Sequence, residues 1–208
     1  MASITSQLTE DESENIFDSN IFFKIKKENF LYLEQYKKFE LAQDQETKVY
    51  GFNLGDELFL RPLRRDDFKR CFLDLLIYLS EVESSEQITK EQYEKRFDEM
   101  AKARGTYYTF VIVDKTKDIL VGTLTNIFER KFIFRNTGAL SRIRNIAVHE
   151  EYRGKKLCKI MMDVAIQLSR ELGCYKVSLE CEDELKNLYC KFGLKLGSDY
   201  NYLSRDLS

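Results

Sequence analysis

The chain has 208 residues, of which 43% are hydrophobic and 33% are charged, and its formal net charge is −2. This composition is typical of a globular protein with a substantial core, and it lacks the basic surface that nucleic-acid binding requires. No apolar run is long enough to span a membrane, and the acidic, polar N-terminus lacks the pattern of a signal peptide. We therefore expect a cytoplasmic protein with no nucleic-acid partner and no membrane partner.

The cysteines and the single histidine limit the metal and redox chemistry that we expect. The five cysteines are Cys71, Cys158, Cys174, Cys181 and Cys190. An odd number without a CxxC pair predicts reduced, mostly buried thiols, and one histidine disfavours a zinc site. His149 lies in a charged loop, so a solvated side chain is favoured over a Cys/His or Ser/His nucleophile system.

The N-terminal quarter gives weak signals. Residues 1–16 are polar and acidic, which predicts disorder. Residues 17–48 mix aromatic and charged side chains in a loose helical pattern. We predict that residues 1–56 form an N-terminal extension, partly disordered or helical, for which a packing arm is favoured over a partner-binding segment. The folded domain is predicted over residues 57–208.

Secondary-structure signals become clear from Glu57 onward. In chain order they predict a strand (57–63), a helix (65–79), a helix from Ser85 or Thr89 to Met100, strands (107–114, 119–128 and 139–148), a helix (157–172), a strand (175–181), a helix (183–192) and a strand (194–203). This order predicts an α/β (α+β) fold with a mixed central sheet flanked by helices, and it is not the order of a doubly wound dinucleotide-binding domain.

The start of the long amphipathic helix suits an anion. Arg153-Gly154-Lys155-Lys156 stands where this helix begins. Backbone N–H groups lack partners in the first turn of a helix, the helix dipole adds positive charge there, and a glycine lets an anion approach closely. The pattern matches neither GxGxxG nor GxxxxGK[ST]. On this motif alone, a pyrophosphate-binding loop and an ordinary helix with a basic cap stay equally open.

Several motifs in a fixed order narrow the choice. They are Leu60-Arg61-Pro62-Leu63, Glu129-Arg130-Lys131-Phe132-Ile133, Glu151-Tyr152-Arg153-Gly154-Lys155-Lys156-Leu157, Gly173-Cys174-Tyr175-Lys176, Leu179-Glu180-Cys181 and Tyr189-Cys190-Lys191-Phe192-Gly193. Together they resemble the GNAT acetyltransferase superfamily and, within it, the eukaryotic glucosamine-6-phosphate N-acetyltransferases. The resemblance covers about three quarters of the chain. It implies a GNAT fold, a homodimer, and metal-free acetyl transfer from acetyl-CoA to the amine of glucosamine 6-phosphate by direct attack.

The resemblance also implies a coenzyme site. Backbone groups of Ile146, Ala147 and Val148 would pair with the pantetheine arm of acetyl-CoA. The pyrophosphate would be held by Arg153, Gly154, Lys155, Lys156, Leu157, Cys158 and Lys159. Tyr189 would lie near the coenzyme sulfur and Glu180 near the thioester. The Tyr189 hydroxyl can then stabilise the leaving thiolate, and either Glu180 or a backbone carbonyl of the strand can accept the proton of the amine. On the residues alone, Tyr189 fits a core stripe and a solvated strand face is favoured for Glu180.

The acceptor site departs from the family pattern at several positions. The residues that the resemblance assigns to the sugar phosphate are Ser80, Lys131, Phe132, Ile133, Phe134, Arg144, Asn145, Tyr175, Lys176 and Arg205. Arg144-Asn145 stands where the family has two carboxylates, Phe134 replaces a histidine, and Cys158 replaces a glycine or alanine. Two alternatives therefore stay open: a diverged GNAT enzyme that acts on another small amine, and a catalytically weak paralogue that binds CoA or dimerises with an active relative.

Overall fold

The computed structural model describes residues 14–32, 39–79, 88–132 and 138–197. The strands in these parts are β1 (Phe39–Gln43), β2 (Tyr50–Leu54), β3 (Leu58–Pro62), β4 (Tyr107–Asp114), β5 (Ile119–Arg130), β6 (Ala139–Val148) and β7 (Lys176–Leu179). The α-helices are α1 (Phe72–Ile77), α2 (Lys90–Lys102), α3 (Leu157–Glu171) and α4 (Lys186–Cys190). None of the helices in the described parts is long and apolar enough to cross a membrane.

The seven strands form one sheet whose spatial order follows the sequence, β1 to β7. Each neighbouring pair is antiparallel except β6 and β7, which are parallel. Parallel neighbours need a long crossover connection, and α3 supplies it. The predicted mixed sheet flanked by helices is confirmed.

The sheet has a core on each face, and the alternation of side chains along β4 explains why. Phe110 and Ile112 point into the core that contains α3, whereas Val111 and Val113 point into the core that contains α1 and α2. Successive side chains of a strand face opposite sides, so a continuous apolar run serves both cores. The fully buried stripe of α3 is Leu157, Ile160, Met161, Val164, Ala165 and Leu168. Each large apolar side chain there contributes roughly 1.5–3 kcal/mol by leaving water.

The N-terminal part of the chain contains structure that the sequence analysis did not predict. Residues 39–54 form β1 and β2, an antiparallel hairpin that pairs with β3, so the sheet begins before residue 57. Helical structure within residues 17–48 is limited, in the described part, to short 3-10 helices at Ser19–Lys24 and Lys27–Asn29. Phe22 is completely buried against the sheet, as expected of a packing arm.

Three further predictions need correction. The helix predicted over residues 65–79 is a 3-10 turn followed by α1, because Cys71 between them has a left-handed φ of 62°. Residues 194–197 are not in a strand, and the rest of the predicted last strand lies outside the described residues. The five cysteines are free, as expected, but they are not mostly buried: Cys71, Cys181 and Cys190 are exposed. Among the described residues, no cluster of His, Cys, Asp or Glu could hold a metal ion.

Candidate active site

A bulge in β6 creates the central feature of the site. Thr123 of β5 lies opposite Ala147, but Thr125 lies opposite Arg144, so two residues of β6 face one of β5. Asn145 is one of the two, and it adopts a left-handed φ of 53°. Asparagine tolerates this conformation better than most side chains. A bulge re-aims the strand that carries it, and this one lies where β6 passes the end of β7.

Beyond the bulge, β6 continues without β7. The parallel pairing runs from Leu140 with Lys176 to Ile143 with Leu179. Residues 146–148 extend past the last pair, so the sheet opens between the two strands at this end. We call this opening the β6–β7 split. The backbone of the predicted pantetheine-binding residues Ile146, Ala147 and Val148 is therefore on the strand that borders the split.

The glycine turn that follows β6 has the geometry of an anion site. Gly154 has a φ of 78°, and the position that a Cβ would occupy there has no atom within 4 Å. Lys156 precedes α3 in a left-handed conformation with a φ of 64°, and its side chain makes no capping hydrogen bond to the helix. The N-terminus of a 15-residue helix thus has no cap from its N-cap side chain, beside an open glycine.

Aromatic rings hold two of the cations of this turn. The ammonium of Lys155 lies 4.2 Å from the ring centre of Tyr152, and the guanidinium of Arg153 lies 5.4 Å from that of Tyr78. The Arg153 Nε also donates a hydrogen bond of 3.4 Å to the carbonyl of Val148, next to the split. Cation–π contacts of this kind restrict where the positive charges can lie.

Tyr152 itself is fixed by a buried hydrogen bond that the sequence analysis missed. Its hydroxyl donates to Oδ2 of Asp114 at 2.6 Å. Burial alone would raise the pKa of Asp114, but hydrogen bonds from Thr116, Tyr152 and Lys117 outweigh it and lower the pKa to about 2. The spacing Asp-x-Thr at the end of β4 is an Asx-turn signal that could have drawn attention to Asp114. Its contact with Tyr152, 38 residues away, has no local signal.

Tyr189 lies on α4 and is 7% exposed. Burial raises its pKa well above the usual range, and the nearby thiols of Cys158 and Cys181 act in the same direction. Burial also raises the pKa of Cys158 to about 11, although Lys159 opposes the shift. Both groups are therefore protonated at neutral pH: Tyr189 can donate a hydrogen bond, and Cys158 is not poised as a thiolate nucleophile. Tyr189 of α4 and Cys158 in the first turn of α3 are neighbours.

Glu180 is paired with Arg144. The guanidinium donates from both terminal nitrogens to the two carboxylate oxygens, at 2.6 and 2.8 Å. The side chains are 39% and 46% exposed. These residues follow the last β6–β7 pair, Ile143 with Leu179, so the ion pair lies where the split opens. Both residues were predicted at the site from the sequence, but the ion pair between them was not.

The remaining acceptor candidates do not gather at this ion pair. Tyr175 and Lys176 lie at the start of β7, where the Tyr175 N–H donates to the carbonyl of Ala139. Lys176 is four residues from Glu180, which is about 13 Å along an extended strand. Within one chain, these two candidates are therefore far from the split.

Lys131 and Phe132 lie at the far end of β5. Lys131 is paired with Glu129, which also accepts a hydrogen bond of 2.7 Å from Arg142. These bonds, from Lys131 first and then Arg142, hold the pKa of Glu129 below its usual range. Phe132 is fully exposed. The other assigned residues lie outside the described part of the chain: Ser80, Ile133, Phe134 and Arg205.

Comparisons with known proteins agree with this geometry. Residues 65–194 match the acetyltransferase (GNAT) family. This match covers more than half of the chain, so the chain belongs to the acetyltransferase (GNAT) family.

Several similar proteins carry names that specify the acceptor of the acetyl group. The chain is 39% identical over 134 residues to the probable glucosamine 6-phosphate N-acetyltransferase of Drosophila melanogaster, a match that covers 64% of this chain and 59% of that protein. It is 34% identical over 144 residues to glucosamine 6-phosphate N-acetyltransferase 1 of Dictyostelium discoideum, covering 68% and 88% of the two chains. The crystal structure of glucosamine-6-phosphate N-acetyltransferase from Arabidopsis thaliana matches with a TM-score of 0.66 and 29% identity, over 73% of this chain and all of that one.

Proposed function

We propose that this chain transfers the acetyl group of acetyl-CoA to the amine of glucosamine 6-phosphate and so forms N-acetylglucosamine 6-phosphate. The observation that carries the proposal is the β6–β7 split, which opens directly beside the glycine turn of α3. A strand that extends past its last pair with β7 and a helix N-terminus, placed in succession, suit a coenzyme with an amide-containing arm and a diphosphate. The relatives named above support the choice of acceptor.

The coenzyme would extend from the glycine turn into the split. Its diphosphate would lie on the backbone of Gly154 and the first turn of α3, with Arg153 and Lys155 as counter-charges. Its pantetheine amides would pair with the backbone of residues 146–148, as an added strand. Because aromatic rings already restrict the side chains of Arg153 and Lys155, these side chains lose less conformational entropy when the diphosphate binds.

The reaction needs no covalent enzyme intermediate. The neutral amine attacks the thioester carbon, a C–N bond forms, and the C–S bond breaks. The coenzyme leaves as a thiolate, which the protonated hydroxyl of Tyr189 stabilises by donating a hydrogen bond. The amine must lose a proton, and the Glu180 carboxylate is the acceptor that we propose. Cys158, with its raised pKa, takes no part as a nucleophile.

A homodimer fits the placement of the acceptor candidates. An amine bound at Glu180 lies about 13 Å along the strand from Lys176 of the same chain, and a hexosamine phosphate is shorter than that. A second copy related by a two-fold axis can supply these residues from the other side. Mixing a Lys176→Ala chain with a Glu180→Gln chain should then restore activity, because one site of the mixed dimer is intact.

The direct test is acetyl transfer from acetyl-CoA to glucosamine 6-phosphate, followed as release of the coenzyme thiol. Glucose 6-phosphate, which has a hydroxyl group in place of the amine, is the matched negative control. Tyr189→Phe should lower kcat about 100-fold, since the loss of one proton donor costs that order, with little change in the KM for acetyl-CoA. Tyr50→Phe, at a tyrosine remote from the split, should have no effect. Bound acetyl-CoA without transfer to glucosamine 6-phosphate would discard this acceptor.

One observation favours a second candidate. Arg144 already donates to both oxygens of Glu180, so an amine must displace the guanidinium before it can reach the carboxylate. A chain of this kind could bind CoA and transfer acetyl groups slowly, or act on another small amine. Coenzyme binding without turnover across amino sugars and polyamines would select the weak paralogue, and turnover of a different amine would select the diverged enzyme.

A further inference from the structure

A buried carboxylate on α3 anchors residues 14–32, which we call the N-terminal arm. Asp163 is 1% exposed, and its two oxygens accept hydrogen bonds from the backbone N–H groups of Leu31 at 3.2 Å and Tyr32 at 2.9 Å. Burial raises the pKa of Asp163, and these two hydrogen bonds oppose the shift. One turn further along the helix, the Gln167 side chain donates to the carbonyl of Asn29 at 2.9 Å. Two polar side chains of a buried helix face are thus used to hold the arm.

This anchor places Tyr32 across two helices. The Tyr32 ring centre lies 4.4 Å from the ammonium of Lys159, in the first turn of α3, and 5.0 Å from the ring centre of Phe192, just after α4. Tyr189 and Cys158 lie on the same two helices. Tyr32 is therefore next to the region where α3 and α4 come together around the proposed coenzyme site.

We propose that the N-terminal arm is part of the coenzyme site, in which Tyr32 is a positioning residue that holds the ammonium of Lys159 beside the diphosphate-binding turn. The inference rests on the proposed placement of the coenzyme. The arm lies outside residues 65–194, so the family match does not assign it any role.

The physical reason is preorganisation. A lysine side chain has four rotatable bonds and loses rotamer freedom when it binds an anion. The face of an aromatic ring attracts the ammonium and restricts it before the anion arrives. Lys159 without Tyr32 would still carry its charge, but it would have to be ordered at the moment of binding. The arm should thus change coenzyme affinity and not the chemistry at the thioester.

The test compares variants of the full chain by calorimetric titration with CoA. Tyr32→Leu should weaken CoA binding about fivefold, the effect expected from loss of a partly exposed cation–π contact. Tyr32→Phe keeps the ring and should bind CoA as the unchanged chain does. Asp163→Asn, which loosens the anchor without touching Lys159, should weaken binding in the same direction. Phe23→Leu is the matched control, because Phe23 is an exposed aromatic of the arm whose ring contacts Tyr50 of β2.

Two further measurements separate this inference from the proposed function. Lys159→Ala should weaken CoA binding, and the double variant with Tyr32→Leu should bind CoA only slightly more weakly than Lys159→Ala alone. Acetyl transfer from S-acetylpantetheine, which lacks the diphosphate, should proceed equally well in the unchanged chain and in Tyr32→Leu. If Lys159→Ala weakens CoA binding and Tyr32→Leu leaves it unchanged, the proposed role of the arm is wrong and the proposed function is unaffected. No effect of Lys159→Ala would also overturn the inference, but the proposed placement of the diphosphate on Gly154, Arg153 and Lys155 would stand. Equal losses with CoA and S-acetylpantetheine, along with a lower Tm, would show a merely structural role and overturn the inference.

Discussion

Two arginine–carboxylate pairs of this molecule have nearly the same geometry and different surroundings. Arg61 donates to both oxygens of Asp67 at 2.7 Å, and the two side chains are 5% and 0% exposed. Arg144 donates to both oxygens of Glu180 at 2.6 and 2.8 Å, but these side chains are more than one third exposed. The first pair lies beside β3 and the second at the β6–β7 split.

The difference in burial separates a structural ion pair from one that a substrate can open. A buried charge that loses its partner stays in a low-dielectric environment, and the cost is several kcal/mol. An exposed pair exchanges its partner for water at a cost of about 0–1 kcal/mol. Only the pair at the split can therefore yield to a bound amine without a loss of stability.

The largest expected effect is at the buried pair. Asp67→Asn should lower the free energy of unfolding by about 3–5 kcal/mol, because the charge of Arg61 is left buried without its partner. The backbone N–H of Arg64, which also donates to Asp67, would lose a charged acceptor. Urea denaturation at neutral pH measures the change. Glu180→Gln is the matched control at the exposed pair. If both variants lose the same free energy of unfolding, burial does not decide how much each ion pair contributes to stability.

An intermediate effect is expected at Asp114, a buried carboxylate held by neutral donors. Because the folded state lowers its pKa to about 2, Asp114 contributes stability that is complete above the usual aspartate pKa and is lost as the pH falls through the folded value. Asp114→Asn should cost about 2 kcal/mol at pH 7, and the difference from the unchanged chain should shrink below about pH 4. Urea titrations at pH 7 and pH 3 measure both.

The control for Asp114 is Asp118→Asn, in the same turn. Asp118 is exposed and pairs with Arg70 at 2.6 Å, so its loss should cost less than about 1 kcal/mol. A loss at Asp114 that does not change with pH would mean that the carboxylate charge is not what stabilises the turn.

The two parts of the chain differ in how far the sequence predicted them. The unit from β6 through α3 to β7 was predicted almost to its ends, because the stripe of α3 repeats every three or four residues and glycines mark both of its ends. β1 was missed, since Phe39–Gln43 is short and its burial is irregular. Its conformation comes from pairing with β2, which no local pattern reveals.

In the candidate site, too, the residue types could be predicted from the sequence, but their long-range contacts could not. The residue types at the split were predictable, since they belong to contiguous motifs. Their mutual contacts were not, because Arg144 and Glu180 are 36 residues apart and Asp163 and Tyr32 are 131 apart. The bulge at Asn145 is a property of register, and it decides where β6 leaves β7.

The smallest effect on stability is expected at the exposed pair, where the effect on activity should nevertheless be large. Arg144→Gln and Glu180→Gln should each change the free energy of unfolding by less than about 1 kcal/mol, since both side chains are accessible to water. Glu180→Gln should lower kcat about 100-fold, because the proposed proton acceptor is removed. Arg144→Gln should instead raise kcat/KM for the amine, since Glu180 no longer has to release a guanidinium before it receives the substrate.

We expect Arg144→Gln to raise kcat/KM and Glu180→Gln to lower it. Steady-state acetyl transfer at fixed pH measures these changes, and urea denaturation of the same samples measures stability. Equal decreases would mean that Arg144 and Glu180 act as a unit, with the guanidinium orienting the carboxylate instead of competing for it. No decrease in Glu180→Gln would assign the amine proton to another acceptor. In that case the backbone carbonyls that border the split would be the next groups to consider, because they are the acceptors that β7 leaves without a strand partner.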